Sequence, residues 1–259
     1  MPKLAANLSW LFTELPLRER FAAAAACGFR GVEVLFPYEL PAPAAREQLT
    51  AHGLELALIN LPAGDWDAGD RGLAALPGRE AEFDVALQTA LAYARHCGCR
   101  RVHAMAGRPT GAERADAERT YVANLRRAAR AAVEFGITVL IEPLNAIDNP
   151  GYLLRTTEQA LEVIAQVGEP NLALQLDLYH TQISEGDLER RIRALADRYA
   201  HVQIAGNPQR GEPDQGEVNY GHLLDVFDQI GYAGWVGCEY RPRGLTQAGL
   251  GWARRYLDG

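Results

Sequence analysis

The chain has 259 residues, 48% of them hydrophobic, which suits a large α/β domain with a substantial core. Its formal charge is −7 and no run of Lys or Arg stands out, which argues against nucleic acid as a partner, since such binding relies on a basic surface that releases counterions. No apolar stretch approaches the ~18 residues a membrane span needs, and MPKLAANLSW has no signal-peptide pattern, so a cytoplasmic protein with no membrane partner is expected.

Short β-like runs occupy 4–7, 31–35, 55–61, 101–105, 138–142, 172–177, 201–205 and 235–239. Helical patterns fill the gaps. After the Pro77-Gly78 turn, Phe83, Leu87, Leu91 and Ala94 form one stripe. Tyr121, Leu125, Ala128, Ala132 and Phe135 form the next, and Gly136 is placed to end it. Thr156 with Gln159 three residues on is a capping-box pattern. That helix continues through Leu161 and Ile164 and stops near Gly168. A last one carries Leu223, Leu224, Phe227 and Ile230, then Gly231.

One βα unit per about 32 residues implies a parallel sheet with right-handed crossovers. Eight such units close into a (β/α)8 TIM barrel, expected as a single catalytic domain over 1–259. An open doubly wound sheet would need fewer strands or a second domain, and no linker marks a boundary. There is also no G-x-G-x-x-G after the first strand. The four cysteines, Cys27, Cys97, Cys99 and Cys238, match no zinc spacing and are expected as scattered buried thiols in a reducing compartment.

In a barrel the C-terminal ends of the strands face the active-site mouth. Four neighbouring runs there carry Glu142, Asp177, Gln203 and Glu239. Each acid taken alone is as well explained as a strand cap or an Arg partner; the coincidence of four carries the weight. Burying an unpaired carboxylate costs several kcal/mol or protonates it, and three aimed at one another cost more. A divalent cation removes that problem, because Mg2+ and Mn2+ prefer oxygen ligands. Three carboxylates and one amide oxygen would leave two octahedral positions for substrate.

The residues also resemble a known family. Asn7-Leu-Ser, Phe36-Pro-Tyr, Asn60-Leu-Pro-Ala-Gly-Asp-Trp66, Ala75-Leu-Pro-Gly-Arg79, Ile141-Glu-Pro143, Gln175-Leu-Asp-Leu-Tyr-His180, His201-Val-Gln-Ile-Ala205, Gly216-Glu-Val-Asn-Tyr220 and Gly237-Cys-Glu-Tyr240 look like hydroxypyruvate isomerase, from about Ala5 to Trp252. That family sits in the wider xylose isomerase-like barrel group, with sugar epimerases and endonuclease IV. The resemblance implies that Glu142 and Glu239 transfer the proton, and that Glu142, Asp177, Gln203 and Glu239 hold a divalent metal ion, Mg2+ first and Mn2+ second. The related epimerases usually carry His where this chain has Gln203, so Gln203 favours the isomerase branch.

The implied reaction interconverts hydroxypyruvate and tartronate semialdehyde through an enediolate, a cytoplasmic step of glyoxylate or carbohydrate-acid metabolism. The cation would act as a Lewis acid and a Glu as the base. The substrate is then a small hydroxy-oxo acid, and a barrel of this size often forms a homo-oligomer. Six further residues are candidates for substrate binding. His180, on the loop after the sixth strand, would bond substrate or orient Asp177. His103 would point into the mouth. Arg210 would clamp the substrate carboxylate, and Glu217 would support Arg210 or cap the last helix. Asn60 and Trp66 sit on the loop after the third strand, with Trp66 as an apolar lid or as packing.

Rival readings share part of this frame. Tyr240-Arg-Pro-Arg-Gly-Leu-Thr and His201-Val-Gln-Ile-Ala-Gly206 resemble the 2-oxo-tetronate isomerases equally well, and a ketose 3-epimerase would need a bulkier pocket. A DNA-repair enzyme like endonuclease IV needs a richer His set than the six present, and a non-catalytic barrel predicts a lost ligand.

Overall fold

A computed structural model describes residues 1–257. All eight expected strands form, in a closed parallel barrel with neighbours in strict chain order. They are β1 (Lys3–Asn7), β2 (Gly31–Val34), β3 (Glu55–Asn60), β4 (Arg101–His103), β5 (Thr138–Ile141), β6 (Leu172–Asp177), β7 (Tyr199–Ile204) and β8 (Trp235–Cys238). The barrel closes where Ala5 of β1 pairs with Gly237 of β8.

The helices of the outer ring are α1 (Leu17–Ala26), α2 (Ala42–Ala51), α3 (Glu80–Cys97), α4 (Arg114–Val133), α5 (Thr157–Val167), α6 (Leu178–Ser184), α7 (Leu188–Ala194), α8 (Tyr220–Gln229) and α9 (Arg254–Leu257). The stripe Phe83, Leu87, Leu91 and Ala94 is the buried face of α3, which ends at Gly98 in the left-handed conformation. α5 opens as the pattern predicts, with the Thr156 hydroxyl accepting from the Gln159 amide. The Gln159 side chain, however, reaches back to the Arg155 N–H rather than to that of Thr156. Leu161 and Ile164 are only half-buried; Thr157, Ala160 and Val167 are the buried face of α5. The sixth crossover holds two short helices, not one, because Glu185-Gly-Asp187 breaks the run. Among the described residues no helix is long and apolar enough to cross a membrane.

All four cysteines are free. Cys97, Cys99 and Cys238 are buried and Cys27 is partly so. Burial pushes the Cys97 thiol up to about 11, so it is inert packing.

The barrel floor is filled by Trp235 against Ala5 and Ala57. Gly31 makes this possible, since a Cβ there would lie 2.7 Å from the indole. Arg101 crosses the same floor and donates to the carbonyls of Ala200 and Ala57. Above this floor the lining turns polar. Asn7, Glu33, Gln175, His201 and Gln203 are all buried, where barrels of this type usually place branched aliphatics. The strand register slips at Val32/Glu33 and at Leu174/Gln175. Such irregularities re-aim a side chain, and here they coincide with two of these polar residues.

Candidate active site

The four strand-end residues lie on adjacent strands and all are buried. Glu142 follows β5 directly, and Glu239 follows β8, its N–H bonded to the Ile204 carbonyl at 3.2 Å. Asp177 ends β6 and also caps α6, with Oδ1 accepting from the Tyr179 amide at 2.8 Å. That cap fixes the carboxylate and leaves Oδ2 buried with no hydrogen-bond partner. Gln203 lies inside β7. Its Oε1 accepts from Gln175 Nε2 at 2.6 Å, and the same nitrogen donates to Glu142 Oε2 at 2.9 Å.

The electrostatics follow from burial. Glu142 is raised well above the ordinary carboxylate range by desolvation, then by Asp177 and Glu239. Glu239 is pushed up to about 8, by desolvation first and against the pull of Arg210. Asp177 is raised by desolvation too, although Arg210 and the amides of Tyr179 and His180 oppose it. The site therefore holds three acids whose negative charge is under-compensated.

Arg210 is the nearest compensation. Its guanidinium lies 2.9 Å from Glu239 Oε1 and 3.7 Å from Asp177 Oδ2. The rings of Trp10 and Tyr179 lie 4.7 and 4.9 Å away. Its backbone is left-handed, φ 54°, in the irregular segment after β7. Two of the plain explanations for the acids are thus realised, since Asp177 caps a helix and Glu239 pairs with an Arg. Both still converge on Glu142.

His180 differs from expectation. It is in the first turn of α6, not on a loop. Its Nε2 stands 3.7 Å from Asp177 Oδ2, too far to orient it by a hydrogen bond. Its Nδ1 faces the backbone N–H of Asn145 at 3.3 Å and the side-chain amide nitrogen of Asn145 at 2.6 Å. The Asn145 oxygen is already taken by the Ile147 and Asp148 amides. Nδ1 is therefore the acceptor, and in the neutral ring the proton sits on Nε2, facing the acids. Burial, then Arg210, holds His180 well below its usual pKa and so neutral.

The other candidates scatter. His103 ends β4 and does point inward, its Nδ1 3.5 Å from Glu142 Oε2, with burial pushing it down to about 3. Asn60 ends β3, buried, with Oδ1 lacking a partner. Trp66 is 46% exposed, so it is not core. It leans on Phe36, and Arg71 lies 3.8 Å over its ring. Glu217 neither supports Arg210 nor caps a helix. It is exposed and accepts from Gln182, while Asn219 caps α8. Helix caps favour the short side chain of Asn over the longer Glu.

Sequence reasoning passed over Glu33, Gln175, His201 and Asn7. Gln175 and His201 each stand two residues before a chosen residue, Asp177 and Gln203, so strand alternation puts them on the same inward face. Glu33 had no such neighbour. Its Oε2 accepts from Asn7 at 3.0 Å and from Gln203 at 2.9 Å, and Oε1 meets His201 Nε2. Gly237 provides the room, since a Cβ there would fall 2.0 Å from Glu33 Oε1. Gly237→Ala should therefore cost about 1–3 kcal/mol of stability by overpacking; urea denaturation measures it, and an unchanged midpoint would contradict this packing.

The donor chemistry fits a divalent cation. Glu142 and Asp177 bring carboxylate oxygens within 4.8 Å of one another and of the His180 ring, the one such cluster found among the described residues, and with the His180 proton on Nε2 the carboxylates are the ligands. Carboxylate and amide oxygens suit a hard ion, and Asp177 Oδ2, which accepts no hydrogen bond, is open to one.

Comparison with known proteins agrees with this frame. A family model described as a xylose isomerase-like TIM barrel matches residues 21–256. A 2-oxo-tetronate isomerase from Cupriavidus necator is 52% identical over 258 residues, 99% of each chain. A hydroxypyruvate isomerase from Escherichia coli is 46% identical, covering 99% of this chain and 100% of its own. A crystal structure described as an AP endonuclease, family 2, from Brucella melitensis superposes with a TM-score of 0.97 at 49% identity, over 99% of both chains. This chain belongs to the xylose isomerase-like TIM-barrel family and is an isomerase.

Proposed function

We propose that the protein interconverts a small hydroxy-oxo acid with its isomer, hydroxypyruvate with tartronate semialdehyde, by moving one proton between adjacent carbons. The observation that carries this is the half-buried Arg210 between Asp177 and Glu239, beside Glu142. A substrate with a carboxylate at one end and hydroxy and oxo groups at the other meets a cation for the first and a metal-binding oxygen cluster for the second.

Glu142, Asp177, Gln203 and Glu239 would hold Mg2+ or Mn2+, which supplies Lewis-acid stabilisation of the oxygen that gains charge. One of Glu142 and Glu239 takes the proton from the C–H and one of them returns it to the neighbouring carbon, while the hydroxyl proton passes from one substrate oxygen to the other, which becomes the new hydroxyl. Burial raises both carboxyls in the metal-free site, and a bound cation would favour the ionised form in which a carboxylate can accept a proton. Arg210 turns from Glu239 toward the substrate carboxylate, which leaves Glu239 uncompensated and more basic. Its planar fork suits that carboxylate. His180 Nε2–H donates to a substrate oxygen. Neutral His103 lies beside Glu142 and adds no charge to it. Asn60 offers its free Oδ1 to a hydroxyl, and Trp66 covers the mouth from the loop after β3. The four free cysteines suit a cytoplasmic setting.

A second reading, 2-oxo-tetronate as substrate, is favoured by the 52% identity to the C. necator relative against 46% to the E. coli one. Proton exchange in D2O tests both. Hydroxypyruvate and 2-oxo-tetronate are compared with and without chelator. Faster chelator-sensitive exchange with hydroxypyruvate is expected; faster exchange with 2-oxo-tetronate selects the second reading. No chelator-sensitive exchange with either acid would overturn both. A nuclease reading has less to rest on, because the described residues offer one metal-capable cluster rather than several.

A further inference from the structure

Glu33 takes no part in the reaction just described, yet it is fully enclosed and saturated with donors. Its Oε2 receives N–H groups from Asn7 and Gln203, and its Oε1 lies against His201. Gly237 is side-chain-free where that carboxylate sits. A barrel that buries an acid and clears space for it is holding it for something other than hydrophobic packing.

The consequence lies in the Gln203 side chain. A carboxamide has one accepting face and one donating face, of nearly the same shape. A carboxylate oxygen that already accepts from Asn7 attracts the donating face and repels the accepting one. Gln203 therefore gives Nε2 to Glu33, at 2.9 Å, and turns Oε1 the opposite way. On that side Gln175 Nε2 donates both to Gln203 Oε1 and to Glu142 Oε2, so the two oxygens converge on one amide nitrogen, on the side of Gln203 away from Glu33.

We propose that Glu33 is a positioning residue that locks the Gln203 carboxamide with its oxygen toward Glu142, presenting that oxygen to a divalent cation. This rests on the reading of Gln203 as a metal ligand. Partners of this kind, one shell behind the ligands, typically change metal affinity 10- to 100-fold. The chain needs the device because Gln, unlike Asp or Glu, has a wrong face to show.

Mn2+ affinity, measured by titration calorimetry on the full chain, tests it, with circular dichroism reporting the fold. Glu33→Met removes the acceptor at similar length and should weaken Mn2+ binding about 10- to 100-fold. Adding Gln203→Glu should recover at least tenfold of that loss, because a carboxylate offers oxygen on both faces. A Glu33 that served only the packing would leave the double variant as weak as the single one. Glu33→Gln keeps an acceptor oxygen and should bind nearly as well as the parent. Where Glu33→Met does not fold, Glu33→Asp withdraws the carboxylate by one methylene and should weaken binding about tenfold. Folded Glu33→Met or Glu33→Asp protein with parental affinity overturns the proposal. Gln203→Met separates the two ideas. If it binds Mn2+ as the parent does, Gln203 is not a ligand and both fall. If it binds weakly while Glu33→Met binds tightly, only the role of Glu33 falls.

Discussion

Glu142→Gln and Glu239→Gln should each lower turnover roughly 100- to 10,000-fold, the range that positioned acid–base groups contribute. At pH 7 the melting temperature of metal-free Glu142→Gln should stay level or rise. The two effects have one origin. Glu142 and Glu239 are buried beside Asp177, and desolvation and mutual repulsion raise both. A neutral amide of the same shape removes that repulsion, so folding loses nothing in Glu142→Gln. It cannot accept a proton, so the reaction loses its base. Glu239→Gln has an added consequence, since Arg210 loses its 2.9 Å partner and keeps only Asp177 at 3.7 Å. Its KM should therefore change along with turnover, whereas in Glu142→Gln the loss falls mainly on turnover. Steady-state rates with calorimetric melting check both. Near-normal turnover in either variant would sink the assignment of the proton-carrying pair.

Without divalent cation, the protein should become less stable as the pH rises from about 6.5 to about 8, and Mg2+ should remove that slope. In the unfolded chain these carboxylates titrate near their ordinary values, about 4. In the folded site Glu239 holds its proton up to about 8, Glu142 is raised well above the ordinary range and Asp177 is raised as well. Across this window the unfolded state binds fewer protons than the folded one, so stability falls with pH. The buried histidines act in the opposite sense at lower pH. His103, held at about 3, and His180, held well below its usual value, cost stability as the pH falls below about 6.5, where the unfolded rings charge. Above that the acids alone set the slope. A bound cation stabilises the ionised site and replaces the proton, so Mg2+-loaded protein should show a flat or rising melting temperature over the same range. A chelated sample whose melting temperature holds level from pH 6.5 to 8 would contradict the under-compensated acid cluster.

The barrel was legible because its signals are local. Period-two runs, helical stripes such as Phe83–Leu87–Leu91 and turn glycines such as Gly136 and Gly168 act within a few residues, and eight repeats admit little but closure. Glu142, Asp177 and Glu239 were legible for a related reason. The strand-end rule turns position in a run into position in space, and three carboxylates among four adjacent ends have a cost that is visible before any coordinates.

What the sequence by itself determined is therefore the closed barrel, the end of it that carries the chemistry and the family to which the chain belongs. Tertiary structure alone decided the pairings inside. Arg210 joins Glu239, 29 residues away in sequence, across α8 and β8. His180 became a helix residue because Asp177 ends a strand and starts α6 in one step, which no periodicity announces. Glu217 left the cap of α8 to Asn219 and accepts from Gln182 instead. Glu33, 170 residues from Gln203, meets it only across the closed barrel. The physical reason is the same throughout. Backbone periodicity depends on neighbours in the chain, whereas the partner of a buried polar group is chosen by whatever donor or acceptor the closed barrel brings within about 3 Å.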